Sequence, residues 1–292
     1  MRGVAAAPEA DMTDIREFDL HVHVGDERGP NPLSAFVEGL AARGVRYVGL
    51  CDHVEIYVPN KGPWAVDHHR HLVEKGWQWY TGDLGGLKAL YADIDAIGAD
   101  DNGLSTRKGL EIGNIDNTPD GFLELPDFLS HCFGRLKEEL GETWADRAAS
   151  RIRRFGRKVA GTGKPGVINH PFRYRLGEYR RQIEAGAPPR PDEILNAETI
   201  HRMADAAREF GLFLEVNMRT IRGAAREPRA LDLLARCVKW LVESGAPLSF
   251  GSDFHKPPEA EFDPAVERVL RESDLGFEHI NALVRRLGFD LG

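Results

Sequence analysis

The sequence predicts an α/β barrel, and three observations carry that prediction. Strand-like and helical patterns alternate along the chain, which is typical of parallel strands joined by right-handed crossovers. The chain has neither a Gly-x-Gly-x-x-Gly sequence after its first strand nor a Gly-x-x-x-x-Gly-Lys-Ser/Thr loop, so dinucleotide and P-loop folds lose support. Histidines and carboxylates follow the predicted strands, as expected at the mouth of a barrel of seven or eight βα units.

Seven mainly apolar runs are predicted as strands: residues 18–24, 45–53, 108–114, 127–133, 166–170, 211–217 and 247–253. Helical patterns lie between them, at residues 31–44, 86–98, 135–160, 197–210 and 230–245, and in the remainder of the chain. Asn196 is placed to cap the N-terminus of one helix, and Gly44 and Gly245 are placed to end two others. Residues 180–195 are polar and contain proline, which predicts a loop.

The length fits one barrel domain, predicted to span residues 17–292. Residues 1–16 are expected to form a flexible tail. A Trp-rich insertion follows the second strand at about residues 54–83, and its position predicts a lid or substrate wall over the mouth. A satellite hydrophobic cluster is an equally good interpretation of that insertion.

Composition narrows the class of partner and the compartment. The net charge is 38 − 46 = −8 with no block of like charges, so a nucleic-acid partner is not expected. Three widely spaced cysteines without a Cys-x-x-Cys pair argue against disulfides and against a thiolate zinc site, and we interpret them as core residues. Residues 1–16 hold no apolar run of signal-peptide length, and no 18-residue apolar stretch occurs. A cytoplasmic protein without membrane contact is therefore expected. The oligomeric state is left open.

Side chains that bind metals lie at or near the ends of the predicted strands. Residues two positions apart in a strand lie on the same face, so His21 and His23 can reach one ion. Any one of the other candidate ligands could instead be an ordinary loop residue or a helix cap. Together they predict a metal site made of imidazoles and carboxylates. The candidate ligands are His21, His23, His53, Glu111, His131, His170, Asp253 and His255.

Eight candidate ligands exceed what one ion needs, since an ion takes about four protein ligands. Two or three divalent ions are therefore expected, and Glu111 is a good candidate for a carboxylate that bridges them. Imidazole and carboxylate ligands suit Zn, Mn or Fe and do not choose among these metals.

Several short segments resemble the PHP (polymerase and histidinol phosphatase) family, and within it the histidinol-phosphatase branch. The matching pieces run in the family's order from residue 19 to residue 255: DLHVHV, CDHVE, LEIGN, SHCF, NHPF, LEVNMR and FGSDFH. The resemblance implies a distorted (β/α)7 TIM-like barrel with a trinuclear metal centre at the mouth formed by the C-terminal ends of the strands.

The resemblance also implies an assignment of ligands to ions. One ion takes His21, His23, Glu111 and Asp253. A second shares Glu111 and takes His131 and His170, and a third takes His53 and His255. The family usually has a further histidine about six residues after the first pair, whereas this chain has none near Gly29. Asp26 or Glu27 could assist the third ion instead.

Metal ions held close together can hydrolyse a phosphomonoester, because they bind its oxygens and activate water. We expect a metal-dependent phosphatase that acts on a small anionic phosphorylated metabolite, with histidinol phosphate as the leading substrate. The predicted catalytic residues are Glu111, Asp253 and His255. The predicted substrate-binding residues are Arg173, Arg175, Asn217, Arg219 and Arg222, because guanidinium groups suit phosphate.

Three alternatives remain open at the level of the sequence. The substrate could be another phosphoester, such as a nucleotide or sugar phosphate. The same metals could activate water against an amide or amidine, as in amidohydrolase-like barrels. The barrel could also be a metal-stabilised binding module without turnover. Arginines that all point away from the metal ligands would weaken the phosphate interpretation.

Overall fold

Seven parallel strands form one sheet whose order follows the chain. The computed structural model describes residues 14–24, 33–54, 84–99, 103–116, 118–134, 136, 142–258 and 262–291. The strands are β1 (Phe18–His23), β2 (Tyr47–His53), β3 (Ser105–Ile112), β4 (Phe128–Cys132), β5 (Gly166–Asn169), β6 (Leu212–Asn217) and β7 (Leu248–Gly251). The predicted α/β barrel is confirmed.

The sheet closes between β1 and the residues that follow β7. The backbone N–H of Asp253 donates to the carbonyl of His21 at 2.7 Å, and the N–H of His23 donates to the carbonyl of Phe254 at 2.8 Å. Val22 and Phe254 form an isolated parallel bridge. The closure therefore lies beside the two histidines of β1, and it brings Asp253 next to them.

Helices cover the outside of the barrel. They are α1 (Leu33–Ala42), α2 (Leu84–Ala99), α3 (Asp120–Leu123), α4 (Trp144–Ala160), α5 (Arg173–Glu184), α6 (Pro191–Ile194), α7 (Ala197–Glu209), α8 (Met218–Ala224), α9 (Pro228–Glu243), α10 (Pro264–Ser273) and α11 (Phe277–Arg286). None of the helices in the described part of the chain is long and apolar enough to cross a membrane.

Local signals in the sequence predict several helix ends correctly. Asn196 caps α7 by accepting a hydrogen bond from the N–H of Thr199 at 2.9 Å. Gly44 and Gly245 adopt φ angles of 76° and 65° after α1 and α9, a conformation that glycine adopts without strain.

The structure differs from the sequence-based prediction in several segments. Helices α5 and α6 occupy parts of the predicted loop at residues 180–195, and the apolar signal of α5 is weak because it buries few side chains. A short 3-10 helix spans Ile15–Glu17, is capped by Asp14 and buries Ile15. Residues 14–16 therefore belong to the barrel, and the rest of the predicted tail lies outside the described residues. So does most of the Trp-rich insertion at 54–83.

Glycines make room for large side chains inside the barrel. A Cβ atom at Gly109 would lie 2.4 Å from both the Cys51 sulfur and the Phe128 ring, and a Cβ atom at Gly49 would lie 2.9 Å from the same ring. Phe128 is buried, so its ring fills the space that the two missing side chains leave. Its inward direction also fixes the orientation of the rest of β4.

Gly109→Ala is expected to destabilise the protein by about 1–3 kcal/mol, the usual cost of overpacking a core. The added methyl group overlaps two buried side chains that have little freedom to move. Urea unfolding of the variant and the wild type measures the difference. Gly177→Ala is the matched control, because a Cβ atom there meets nothing within 4 Å in helix α5, where alanine is favoured over glycine. An equal effect of both substitutions would contradict the prediction.

Candidate metal centre

The two histidines of β1 point into the mouth of the barrel and approach each other. Their Nε2 atoms lie 2.9 Å apart, and both side chains are buried. The ring of His23 stacks against those of His53 and His255, with ring centroids at 4.2 and 4.5 Å, and the centroids of His53 and His255 lie 6.0 Å apart. Four predicted ligands from three separate segments thus share one small volume.

Glu111, at the end of β3, lies at the centre of this cluster. Its Oε2 atom is 3.1 Å from His23 Nε2 and 3.2 Å from His53 Nδ1. Its Oε1 atom is 3.3 Å from His170 Nε2. Because each oxygen faces different imidazoles, Glu111 has the geometry of a carboxylate that bridges two ions.

Asp253 follows β7 and closes the cluster on the side of the barrel seam. Its Oδ1 atom lies 3.0 Å from His255 Nε2 and 3.6 Å from His23 Nε2. The backbone of Asp253 is left-handed, with φ 57°, which Asp and Asn tolerate better than most residues. This turn directs the carboxylate inward from the first residues beyond the strand.

Two further polar side chains hold the cluster in place. Glu215 accepts a hydrogen bond from His21 Nδ1 at 2.7 Å and one from the backbone N–H of His170 at 2.6 Å. Asn169 donates to Glu111 Oε1 at 3.0 Å. With Nδ1 of His21 donating to Glu215, Nε2 of that ring is available to a metal, as is usual for ligating histidines. From the sequence alone, Glu215 in the sixth predicted strand is a candidate only for contacting substrate or fixing a loop.

Burial and neighbouring charges set the protonation of the cluster. Burial, reinforced by the His53 and His255 rings, lowers the pKa of His23 well below its usual value. Burial also lowers the pKa of His255 to about 3. For His21, burial acts in the same direction, but the Glu215 and Glu111 carboxylates outweigh it and raise the pKa. His23 and His255 are therefore neutral near pH 7, the form in which imidazole binds a metal.

The donor atoms fit divalent metal ions. Ligands bound to zinc at 2.0–2.1 Å in a tetrahedron lie about 3.3 Å from one another, and several donor pairs here lie at 3.0–3.6 Å. Three groups bring their ligand atoms within 4.8 Å of one another: His23, His53 and His255; His21, His23 and Asp253; and Glu111, Cys132 and His170. The described residues thus suggest divalent metal binding without deciding the number or identity of the ions.

His131 is the one predicted ligand that the structure does not bring into these groups. Its ring packs against Phe155 of α4 with centroids 5.3 Å apart, and its Nδ1 donates to the carbonyl of Ile112 at 2.6 Å. Burial lowers its pKa to about 4. Cys132, the next residue, lies beside Glu111 and His170 instead. The sequence predicts Cys132 to be a core residue, whereas in the structure it is only partly buried. Adjacent residues in a strand face opposite ways, so Cys132 faces the cluster and His131 does not.

The predicted substrate-binding arginines divide into two pairs. Arg173 and Arg219 each place Nη1 near Asp253 Oδ2, at 3.2 and 3.4 Å. Arg175 instead pairs with Glu178 at 3.0 Å, and Arg222 donates through Nε to the Asp263 carboxylate at 2.9 Å.

Asn217 has a structural contact in addition to its predicted contact with substrate. Its Oδ1 atom accepts from the N–H and hydroxyl of Thr220 at 2.8 and 3.0 Å and so caps α8. Its role toward substrate stays a prediction, as do those of Arg175 and Arg222.

Two cavities share Arg219 and Arg222 in their linings. One of about 500 Å³ includes Arg219, Asp253, His255 and Lys256 in its lining among the described residues. Another of about 470 Å³ adjoins it; its lining includes Arg173, Arg180, Arg181, Arg219, Arg222 and Arg226. This size suits a small metabolite. The concentration of guanidinium groups, which the sequence indicated only in part, favours an anionic one.

No family model and no curated protein sequence matches the chain. A solved histidinol phosphate phosphatase from Lactococcus lactis, complexed with zinc, L-histidinol and phosphate, is 15% identical with a TM-score of 0.48; the match covers 94% of this chain and 95% of that one. A 5-methylcytosine deaminase from Klebsiella pneumoniae, liganded with 5-fluorocytosine, is 14% identical with a TM-score of 0.39, covering 88% of this chain and 60% of that one. These similarities are distant, so the chemistry of the site rests on its own residues.

Glu215→Gln is expected to lower metal affinity by about 10–100-fold, the usual effect of losing an outer partner of a ligand. The carboxylate accepts hydrogen bonds on both oxygens, whereas an amide must present its NH₂ group to one of the two donors. Competition with a chelator measures the affinity. Glu178→Gln, in the Arg175 pair outside the cluster, serves as the control. Unchanged affinity in Glu215→Gln would show that His21 needs no such partner.

Proposed function

We propose that this protein is a metal-dependent hydrolase that cleaves a small phosphomonoester. The observation that carries the proposal is the position of Asp253. One of its oxygens faces His23 and His255, and the other faces Arg173 and Arg219. A group bound beside the histidine cluster would therefore meet two guanidinium groups, which is the environment that a phosphate requires.

The bound ions would supply Lewis-acid stabilisation of the phosphoryl oxygens and activation of water. His21, His23, His53, Glu111, His170 and Asp253 would hold them. Arg173 and Arg219 would bind the remaining phosphate oxygens and orient the ester. His255 has a lowered pKa and its side chain is 9% exposed, so it suits a ligand better than a proton donor.

Histidinol phosphate is the leading substrate, because the short motifs of the chain resemble the histidinol-phosphatase branch of the PHP family. A nucleotide or sugar phosphate is the next candidate. Hydrolysis of a carbon–nitrogen bond is the alternative chemistry for the same metal ligands. The two arginines beside Asp253 favour phosphate over a neutral amide, since their guanidinium N–H groups form stronger hydrogen bonds with an anion than with an uncharged substrate.

The test is release of inorganic phosphate from L-histidinol phosphate, a nucleoside monophosphate and a sugar phosphate by protein loaded with Zn or Mn. Hydantoin and cytosine are included as carbon–nitrogen substrates, and His23→Ala is assayed alongside. Phosphate release that disappears in the variant supports the proposal. Turnover of a carbon–nitrogen substrate alone would overturn it, and turnover of nothing with metal bound would favour a binding module.

Arg173→Ala and Arg219→Ala are each expected to lower kcat/KM for the active phosphoester by about 10–100-fold. A hydrogen bond to a charged group contributes about 1.5–3 kcal/mol, and each substitution would remove one hydrogen bond to a phosphate oxygen. Arg153→Ala is the control, because its guanidinium pairs with Glu209 at 2.7 Å, away from both cavities. An equal loss in all three variants would indicate a general effect of removing an arginine rather than phosphate binding.

A further inference from the structure

His131 and Cys132 are adjacent residues of β4, and each has a side chain that can bind a metal ion. The inner face of this strand is identified by Ser130, whose hydroxyl accepts a hydrogen bond from Asn169 Nδ2 at 2.9 Å. The same Nδ2 atom donates to Glu111, so Ser130 faces the metal centre. Because side chains in a strand alternate, Cys132 shares that face and His131 does not.

The surroundings of Cys132 are those of a ligand and not of a core thiol. Its sulfur, a Glu111 oxygen and a His170 nitrogen all lie within 4.8 Å of one another. It forms no disulfide and is only partly buried, whereas Cys51 and Cys237 are fully buried. Glu111 and His170 are themselves buried, so the three donors converge on one enclosed point.

We propose that Cys132, as a thiolate, binds a divalent ion together with His170 and Glu111. The centre then contains one position with sulfur, nitrogen and oxygen donors beside positions with only imidazole and carboxylate. The thiol proton is released to solvent as the metal–sulfur bond forms, and no electron is transferred. This inference rests on the metal centre of the proposed function but is independent of its substrate.

A thiolate in the donor set has a consequence for the choice of metal. Soft sulfur ligands favour Zn and Co over Mn and Mg, which prefer oxygen. The site with Cys132 is therefore expected to retain Zn under competition from Mn, and Cys132→Ser should lower Zn affinity by roughly 100-fold, at the upper end of the effect of losing an outer partner. Mn affinity should change by less, because a hydroxyl is an acceptable ligand for that ion.

The experiment uses the full chain loaded with Co²⁺, whose bond to a thiolate gives a charge-transfer absorption band in the near ultraviolet. The wild type is expected to show this band, and Cys132→Ser and Cys132→His are expected to lose it while still binding cobalt. Cys237→Ala should retain it, because burial in α9 raises the pKa of that thiol and keeps it protonated. His131→Asn, which can still donate to Ile112, should also retain it.

The outcomes separate this inference from the proposed function. Bound cobalt without the band in the wild type, or a band that persists in Cys132→Ser, overturns the thiolate ligand and leaves the metal centre in place. Loss of cobalt in His131→Asn together with full binding in Cys132→Ser would show that His131, and not Cys132, is the metal ligand from β4. No cobalt binding by the wild type would overturn the inference together with the metal centre.

Discussion

Glu111→Gln is expected to release the bound metal and to abolish hydrolysis. Glu111 faces His23 and His53 through one oxygen and His170 through the other, so its two oxygens contact different imidazoles. An amide has no negative charge and must turn its NH₂ group toward either the imidazoles or Asn169. Removing one member of a buried charged pair costs about 3–5 kcal/mol, which corresponds to roughly 150- to 5,000-fold in metal affinity.

Metal content after dialysis and the rate of phosphate release both measure the effect of Glu111→Gln. Glu178→Gln is the control for a glutamate that lies in an ion pair away from the cluster. Full metal content in Glu111→Gln would mean that the carboxylate does not bridge the ions. Lost activity with full metal content would place Glu111 in the reaction itself rather than in metal binding.

Asp253→Asn is expected to lower kcat/KM by about 100-fold or more and to weaken metal binding. One carboxylate oxygen faces His23 and His255, and the other faces Arg173 and Arg219. The substitution therefore removes the charge of a proposed metal ligand, which is also the carboxylate that pairs with both arginines. Asparagine accommodates the left-handed backbone at this position, so the loss is expected to come from the charge rather than from backbone strain.

Metal affinity and steady-state kinetics together test Asp253→Asn. Asp263→Asn is the matched control, since Asp263 also pairs with an arginine, Arg222, and caps α10 through Ala265, a role that asparagine keeps. A comparable loss of activity in both variants would show that any aspartate–arginine pair at this rim has the same effect. A loss confined to Asp253→Asn is the expected outcome.

Much of the fold and most of the candidate ligands can be predicted from the sequence alone. Alternation of apolar strands and amphipathic helices predicts parallel strands, and the carboxyl ends of such strands meet at one mouth. That geometry brings His23, Glu111 and Asp253 together without any knowledge of side-chain contacts. The signal is strong because each residue lies at or just beyond the end of a clearly apolar run.

The side chains of β4 show where the sequence is insufficient. In the sequence Ser130-His131-Cys132, metal-binding residue types occupy both faces of the strand, and composition favours the histidine. Packing of Phe128 against Gly109 decides which face points inward, and this decision requires the strand register. A shift of one residue exchanges the two faces, so only the closed barrel brings Cys132 to the cluster.

The sequence by itself determined the fold class and the candidate imidazole and carboxylate ligands, because hydrophobic periodicity and residue chemistry are local properties. The tertiary structure decided which arginines meet Asp253, since Arg173 and Arg175 differ by two positions on one helix yet reach different partners. It also decided that Glu215 orients His21 across 194 residues of chain. Contacts between residues so far apart in the chain depend on how the strands close into a barrel, and no local sequence pattern predicts which contacts that closure forms.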